Sequence, residues 1–491
     1  MLLQICILPI NLAYLLQDTQ GGLTTPKTPP AATTSSLIRA LGVADLTWLY
    51  LVAVVNLNIV PVVAAEGIRT LWLWGAAILF FFVPQGIAVI ELAERMPGEG
   101  GLYLWAKETY GNFHGFLCGW CYWLTNMFFV PSLLFYVTGV TAYLGGTALG
   151  LSDNRLFFFA LTNALLWSTI VANIHGLGLG KWVNNIGGVG ALAISVVLMI
   201  LAGIVLAKHG ASVAWGDLSL SKLGTLPLAT IGVVCLGMVG LEIGPVMGDE
   251  VRDPRRTFPR SILLGGTLCA IAYVGATMSL TVALPQSQMA VVQGMMQAID
   301  KMSAGLGLSG ILIPLAILMI ASIVGSTSAW VSGSARILFV SGLDRYLPRT
   351  LGNLHPRYGS PYVALILFGV LASLIITMSF AGASVQDAYL TLLDLAVALQ
   401  MISYLYLFAS LLRRAFSRNS VPVYFRRITL QLASVAGLGM TSLGLAMAFV
   451  PSRQISSIWS FEMKMILTLA VLLGLGGALF LHYSRKSTTE V

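Results

Sequence analysis

A carboxylate in the middle of an apolar stretch is the residue of this sequence that could most readily do chemistry. Glu242 lies between Gly240 and the pair Gly244-Pro245, with long apolar runs on both sides. An ionisable side chain in such a place is costly, and it marks a functional site by default, often one that carries protons. We therefore expect Glu242 to bind and release a proton. The alternative is a structural acceptor that holds unwound backbone.

Helix-breaking residues surround this carboxylate, and a similar set occurs earlier, from Asn56 to Pro61. Proline lacks a backbone N–H, and glycine costs about 1 kcal/mol inside a helix. A helix broken at bilayer depth is tolerated only where protein or a polar cavity satisfies its backbone groups, so paired breaks point to a binding site. The candidate binding residues are Asn56, Leu57, Asn58, Ile59, Val60, Pro61, Gly240, Leu241, Glu242, Ile243 and Gly244.

The composition is that of an integral membrane protein. Hydrophobic residues make up 57% of the 491 residues, charged residues make up 9%, and the mean hydropathy is +0.86. Soluble domains carry about 25% charged residues. The net charge of +8 comes from basic residues in short loops, which argues against a nucleic-acid partner. No phosphate loop, zinc motif or hydrolase triad is visible in the sequence, so we expect no metal, no cofactor and no enzymatic activity.

About 20 apolar residues cross a bilayer core of about 30 Å as a helix, and the sequence predicts twelve such spans. One side of this arrangement holds 20 of the 27 Lys and Arg residues, which places both termini in the cytoplasm and the chain in the cell (plasma or inner) membrane. The predicted spans are 46–65, 71–90, 113–144, 156–174, 186–207, 226–246, 262–284, 308–331, 362–380, 392–412, 430–450 and 458–483.

The first and sixth spans both contain a break, so spans one to five and six to ten form two halves. Because five is odd, the second half enters the membrane in the opposite direction, as an inverted repeat. We expect a tail over 1–40 that is disordered or interfacial, and a transmembrane domain over 41–485. That domain comprises repeat one (46–207), repeat two (226–412) and additional helices at 430–450 and 458–483, and it is followed by a tail over 486–491.

Three ordered stretches carry a resemblance to a known family. They are residues 91–105, residues 240–256 and residues 334–361. These resemble the loop between spans two and three, the broken sixth span, and the end of span eight in the amino acid–polyamine–organocation (APC) superfamily. The Asn-rich first break resembles the branch that holds glutamate/GABA exchangers and related permeases. The resemblance implies an all-α, LeuT-like fold with a substrate site at the midplane, and uptake or exchange of amino acids or amines.

The resemblance also implies roles for single residues. Glu242 matches the acidic residue that arginine/agmatine-type exchangers use as a proton sensor. Asn126 lies on span three, which lines the pocket in this superfamily, although interhelical hydrogen bonding is the simpler interpretation. Ser326, Thr327 and Ser328 match a helix that completes a cation site in sodium-coupled relatives, and serines also bond to their own helix. Asp394 is either a pocket residue or a helix-end residue that meets water.

Charged residues on the cytoplasmic side are candidates for an inner gate, although most mixed-charge runs are solvated surfaces. The gate candidates are Asp249, Glu250, Arg252, Asp253, Arg336 and Arg345.

The sequence thus predicts a permease that moves amino acids by alternating access, by proton symport or by exchange. Its partners are a small-molecule substrate (an amino acid or amine) and the lipid bilayer, and a homodimer is an open alternative to a monomer. Two other functions remain open: a polyamine or organocation transporter, and a nutrient sensor of the same fold that signals without flux.

Overall fold

The computed structural model describes residues 41–98, 100–145, 150–151, 154–175, 177–246, 251–344, 346–379, 385–417, 422–451 and 458–489. The predictions for the tail over 1–40 and for Asp249, Glu250 and Arg345 lie outside these residues. In the described part of the chain the regular structure is helical, apart from one isolated β-bridge between Leu41 and Val251.

The helices follow one another in a single bundle around a continuous apolar core. They are α1 (Val43–Val54), α2 (Ile59–Ala64), α3 (Thr70–Arg95, with a π-helical turn at Ile78–Phe82), α4 (Leu102–Tyr110), α5 (Asn112–Leu144), α6 (Arg155–Ile174), α7 (Leu177–His209), α8 (Ile231–Gly237), α9 (Ile243–Val246), α10 (Pro254–Ala283), α11 (Gly294–Gly305), α12 (Leu312–Leu343), α13 (Tyr362–Ser379), α14 (Val385–Phe416), α15 (Arg427–Met447) and α16 (Ile458–Thr489).

The prediction of an all-helical membrane protein is confirmed. Ten of the described helices are long and apolar enough to cross a membrane, judged by length and composition. They coincide with ten predicted spans, and the short pairs α1–α2 and α8–α9 occupy the other two. Several helices extend past the predicted limits: α7 begins at Leu177 rather than 186, and α14 begins at Val385 rather than 392.

The first break results from an asparagine that competes for the carbonyls of its own helix. The Asn56 Nδ2 atom lies 2.8 Å from the Ala53 carbonyl oxygen and 3.1 Å from that of Val54. Such a side chain offers the backbone an alternative to the next helical turn, and α1 ends there. Pro61 lies in the first turn of α2, where its missing N–H removes no helical bond. Proline therefore helps to start the second half-helix, and Asn56 ends the first.

The second break depends on glycine. Helix α8 ends at Gly237 and α9 begins at Ile243. Gly240 between them has a φ of 134°, which glycine adopts readily and other residues rarely do. A Cβ atom at Gly240 would also lie 2.9 Å from the side chain of Val54 on α1. The glycine lets the two breaks come into contact.

Helices α7 and α12 cross at a pair of glycines next to α1. A Cβ atom on Gly187 would lie 2.8 Å from the Gly325 Cα atom and 2.7 Å from the Val52 side chain. Such contacts are far shorter than packed side chains tolerate, so only glycine fits at this crossing. The crossing holds α1 at a fixed distance from the two long helices.

We expect Gly187→Val to destabilise the protein, because the added atoms must push apart backbone segments. Overpacking costs about 1–3 kcal/mol, and a lower thermal unfolding midpoint of the purified protein would report it. Gly203→Val is the matched control, since Gly203 lies on the same helix and a Cβ atom there would have nothing within 4 Å. Equal midpoints for the two variants would contradict the prediction.

A buried carboxylate fixes one end of α3 to the segment before α15. Glu91 is 1% exposed and accepts backbone N–H groups from Val423 at 2.8 Å and from Tyr424 at 3.1 Å. Arg95 lies 2.8 Å from the same carboxylate. Burial raises the pKa of Tyr424 to about 12, so its hydroxyl stays protonated and donates to the Arg255 carbonyl at 2.9 Å. The ends of α3, α10 and α15 therefore form one connected unit.

Two short helices go beyond what the sequence predicts. Helix α4 lies in the loop between α3 and α5, and α11 lies in the loop after α10. A Cβ atom on Gly294 at the start of α11 would lie 3.2 Å from the Pro61 side chain, so α11 packs on α2.

Candidate functional site

One tyrosine joins the two helix breaks. The hydroxyl of Tyr273, on α10, lies 2.5 Å from the Val54 carbonyl oxygen and 2.7 Å from that of Gly237, and it accepts the N–H of Asn56 at 2.9 Å. Trp74 stacks on the Tyr273 ring, with centroids 4.4 Å apart. The broken ends of α1 and α8 are therefore held around a single hydroxyl group.

Glu242 lies in the second break and is fully buried. Its Oε2 atom accepts hydrogen bonds from Gln85 Nε2 at 3.1 Å, from the Gly240 backbone N–H at 3.0 Å, and from the Tyr404 hydroxyl. Its Oε1 atom is buried without a partner. The carboxylate therefore connects the break with α3 and α14, and it keeps one acceptor atom for a proton or a ligand.

Both breaks leave backbone donors unused. In the described part of the chain, the N–H groups of Leu57, Asn58 and Leu241 form no hydrogen bond. Buried N–H groups are nearly always paired, so three such groups at two adjacent breaks are available to an acceptor from outside the protein. A carboxylate group would supply two oxygen acceptors.

The predicted residues of the first break divide into two groups. Asn56 directs its amide nitrogen to its own helix, and its Oδ1 accepts the Ser326 hydroxyl at 2.8 Å. Asn58 Nδ2 donates to the Tyr389 hydroxyl at 3.2 Å, and Asn58 Oδ1 is buried without a partner. Leu57 lies in the break, whereas Ile59, Val60 and Pro61 belong to α2. Asn58 is thus better placed than Asn56 to meet a ligand.

The three α12 residues that were predicted to complete a cation site do not direct their hydroxyls to a common point. Ser326 contacts the first break, but Thr327 donates to the Ile323 carbonyl of its own helix at 2.8 Å. Ser328 accepts Asn173 Nδ2 from α6 at 3.0 Å. Of the three hydroxyls, the structure brings the Ser326 hydroxyl to the break.

Two other predicted residues lie on the long helices α5 and α14. Asn126 is fully buried and donates to the Tyr122 carbonyl at 2.9 Å, with its Oδ1 atom unpartnered. Asp394 is half-buried on α14.

The described gate candidates have different surroundings. Arg336 is buried and donates to the Ser332 carbonyl at 2.8 Å. Arg252 donates its backbone N–H to the Leu41 carbonyl at 2.8 Å, and Asp253 precedes α10.

An ion pair absent from the sequence predictions joins α4 to the residue after α12. Lys107 Nζ, on α4, is 2.7 Å from Asp344 Oδ2 just after α12, and the Tyr103 hydroxyl donates to the same atom. The loop before α4 is tied to α9, because the Gly100 N–H donates to the Val246 carbonyl at 3.2 Å. Together these contacts join α4 and the loop before it to the end of α12 and to α9.

Four residues of the site are absent from the sequence predictions: Gln85, Tyr273, Gln400 and Tyr404. Each is a polar or hydroxyl-bearing residue inside an apolar span, and each is buried. A search for uncharged polar residues within spans would have found Gln85 and Gln400, since glutamine is rare at such depth.

Comparison with known proteins agrees with this architecture. The family model of amino acid permeases matches residues 41–475. An uncharacterized transporter of Legionella pneumophila is 26% identical over 439 residues, which cover 87% of this chain and 94% of that protein.

Two named transporters of Lactococcus lactis are also similar. A probable agmatine/putrescine antiporter is 22% identical over 71% of this chain and 73% of its own length. A glutamate/gamma-aminobutyrate antiporter is 21% identical over 80% of each chain. The resemblance to the APC superfamily is confirmed: the chain belongs to the amino acid permease family and is an amino acid transporter.

Proposed function

We propose that this transporter binds its substrate where the breaks of α1–α2 and α8–α9 meet, and moves it by alternating access. The proposal includes the five-plus-five inverted repeat, twelve membrane crossings and cytoplasmic termini. Its main support is the set of unpaired N–H groups at Leu57, Asn58 and Leu241. These donors suit the carboxylate that every free amino acid carries, and nearby oxygens such as Asn58 Oδ1 suit its ammonium group.

Glu242 is our candidate for proton coupling. Its carboxylate accepts hydrogen bonds from the Gly240 backbone and from side chains on α3 and α14, so its protonation weakens all three bonds together. A proton on the unpartnered Oε1 atom would remove the negative charge without displacing the donors on Oε2. Proton symport and substrate exchange are both consistent with this arrangement.

The contacts around Asp344 are our candidate for the inner gate. We expect Lys107→Met to change the maximal transport rate about two- to fivefold, a modest effect, because a partly exposed ion pair contributes about 0–1 kcal/mol. Uptake into proteoliposomes measures this rate. Lys222→Met is the control, since Lys222 pairs with Asp217 on a surface loop far along the chain. If both variants transport like the unmodified protein, Lys107 has no gating role.

A polyamine or organocation carrier is the second candidate, favoured by the similarity to the agmatine/putrescine antiporter. The three unpaired N–H groups argue for a substrate with a carboxylate, which polyamines lack. A nutrient sensor of the same fold that signals without flux is the third candidate.

Uptake of radiolabelled amino acids and polyamines into proteoliposomes tests the proposal. Each compound is assayed with and without an inward proton gradient, and with and without unlabelled substrate inside. Saturable uptake of an amino acid supports the proposal, and the gradient and the internal substrate distinguish symport from exchange. Uptake of polyamines alone would favour the second candidate. Thermal stabilisation by an amino acid without any flux would favour the sensor.

A further inference from the structure

Among the residues that the structure describes, Gln400 has no hydrogen-bond partner for its buried side chain. It lies on α14, is 0% exposed, and leaves both its Oε1 and Nε2 atoms unpaired. A buried polar group that makes no hydrogen bond destabilises the fold. A leucine or methionine would fill the same volume without that cost. The unpaired amide of Gln400 is therefore available to a partner from outside the chain.

The neighbours of Gln400 on α14 show where its side chain points. Tyr404, one turn away and about 6 Å along the helix axis, reaches Glu242. On one side, Ser403 donates to the Cys118 carbonyl of α5 at 3.1 Å. On the other side, Val397 contacts Gly232 of α8. Gln400 therefore faces the region between α5 and the second break, next to the Glu242 cluster.

This region contains more unused acceptors than donors. The unpartnered oxygens are Glu242 Oε1, Gln85 Oε1, Gln400 Oε1 and, one turn beyond Tyr122, Asn126 Oδ1. The unused donors are the Gln400 amide nitrogen, the Tyr122 hydroxyl and the hydroxyl of Tyr50, which lies against Gly244 next to the second break. A carboxylate in this region would face acceptor oxygens, and a hydrocarbon would leave them all unpaired. A group with several N–H donors would satisfy them.

We infer that Gln400 determines substrate specificity by binding the distal end of the substrate, and that this end carries N–H donors, as in an amide or an amine. This inference rests on the proposed function, because it assumes that the substrate carboxylate occupies the helix breaks. It extends that function by favouring amino acids with amide or amine side chains over acidic and apolar ones.

The test compares Gln400→Met with the unmodified protein in uptake of glutamine, ornithine, leucine and glutamate. We expect the unmodified protein to prefer glutamine or ornithine, and the two compounds distinguish a neutral amide from a charged amine. Methionine keeps the volume and removes the hydrogen bonds, so kcat/KM for the preferred compound should fall about tenfold, the effect of about one hydrogen bond. The kcat/KM for leucine should change less than about twofold.

Gln431→Met is the matched control, because the Gln431 amide already donates to the Ala415 carbonyl near the C-terminal end of α14. A thermal unfolding midpoint for each variant shows that it is folded. If the unmodified protein prefers leucine or glutamate, or if Gln400→Met lowers all uptake equally or none, the inference is wrong while the proposed function stands. If no amino acid is transported or bound, the proposed function fails as well.

Discussion

Replacing Glu242 by glutamine is expected to flatten the pH profile of transport while substrate binding persists. The glutamine carbonyl oxygen can accept the same hydrogen bonds from Gln85, Gly240 and Tyr404 that the carboxylate Oε2 accepts now. The change removes the group that gains and loses a proton and preserves the local shape. A single titrating group alters its protonated fraction by at most about tenfold per pH unit. The pH dependence of transport that this group causes should disappear in Glu242→Gln.

Uptake measured between about pH 5 and pH 8, together with ligand-induced thermal stabilisation, tests this expectation. Asp300→Asn serves as the control, because Asp300 accepts the Tyr143 hydroxyl at 2.9 Å outside the Glu242 cluster. An unchanged pH profile in Glu242→Gln would reduce Glu242 to an acceptor that stabilises the unwound backbone.

Tyr273→Phe should lower the transport rate at least about tenfold, which corresponds to about 1.4 kcal/mol in the activation barrier. Phenylalanine keeps the stack on Trp74 but removes the hydroxyl that lies between Val54, Gly237 and the N–H of Asn56. The two breaks then lose the group that sets their relative position. Because misplaced binding groups affect rate strongly, we expect the loss in transport to exceed the loss in stability.

Tyr110→Phe is the matched control for this prediction. The Tyr110 hydroxyl also donates to a backbone carbonyl of another helix, that of Ala409 at 2.8 Å, but it lies away from the breaks. Initial rates of uptake and unfolding midpoints are measured for both variants. Normal transport by Tyr273→Phe would show that the breaks keep their positions without this hydroxyl.

The sequence was sufficient to predict the helices and the two breaks because both depend on local signals. Apolar length defines a span. Asn56 and Gly240 interrupt helices through their own backbone chemistry, and Pro61 and Pro245 lie in the first turn of the half-helices that follow. The family resemblance depended on ordered local motifs as well. Helix α11 was missed because it is short and of mixed polarity, so it lacks the long apolar run by which a span is recognised.

Which residues come together to form the site could not be predicted from such local signals. Gln85, Glu242 and Tyr404 are each more than 150 positions from one another, and they meet only because α3, α9 and α14 converge. Asn56 has the right chemistry to bind a carboxylate, but its amide is used to end its own helix. A pattern reveals which groups are available, and tertiary contacts decide which of them remain free.

The hydrogen bonds from Val423 and Tyr424 to Glu91 limit how the C-terminal helices can be exchanged between related proteins. Helices α15 and α16 lie outside the proposed repeat, and they could be regarded as an appendage to exchange between relatives or delete. Glu91 argues against this view, because removal of these helices together with the segment that leads into α15 would leave a buried carboxylate with two fewer donors. A chimera that replaces residues 417–489 must therefore bring a backbone segment that satisfies Glu91, or change that residue in the same step. The segment that leads into α15 and the end of α3 must therefore be exchanged together.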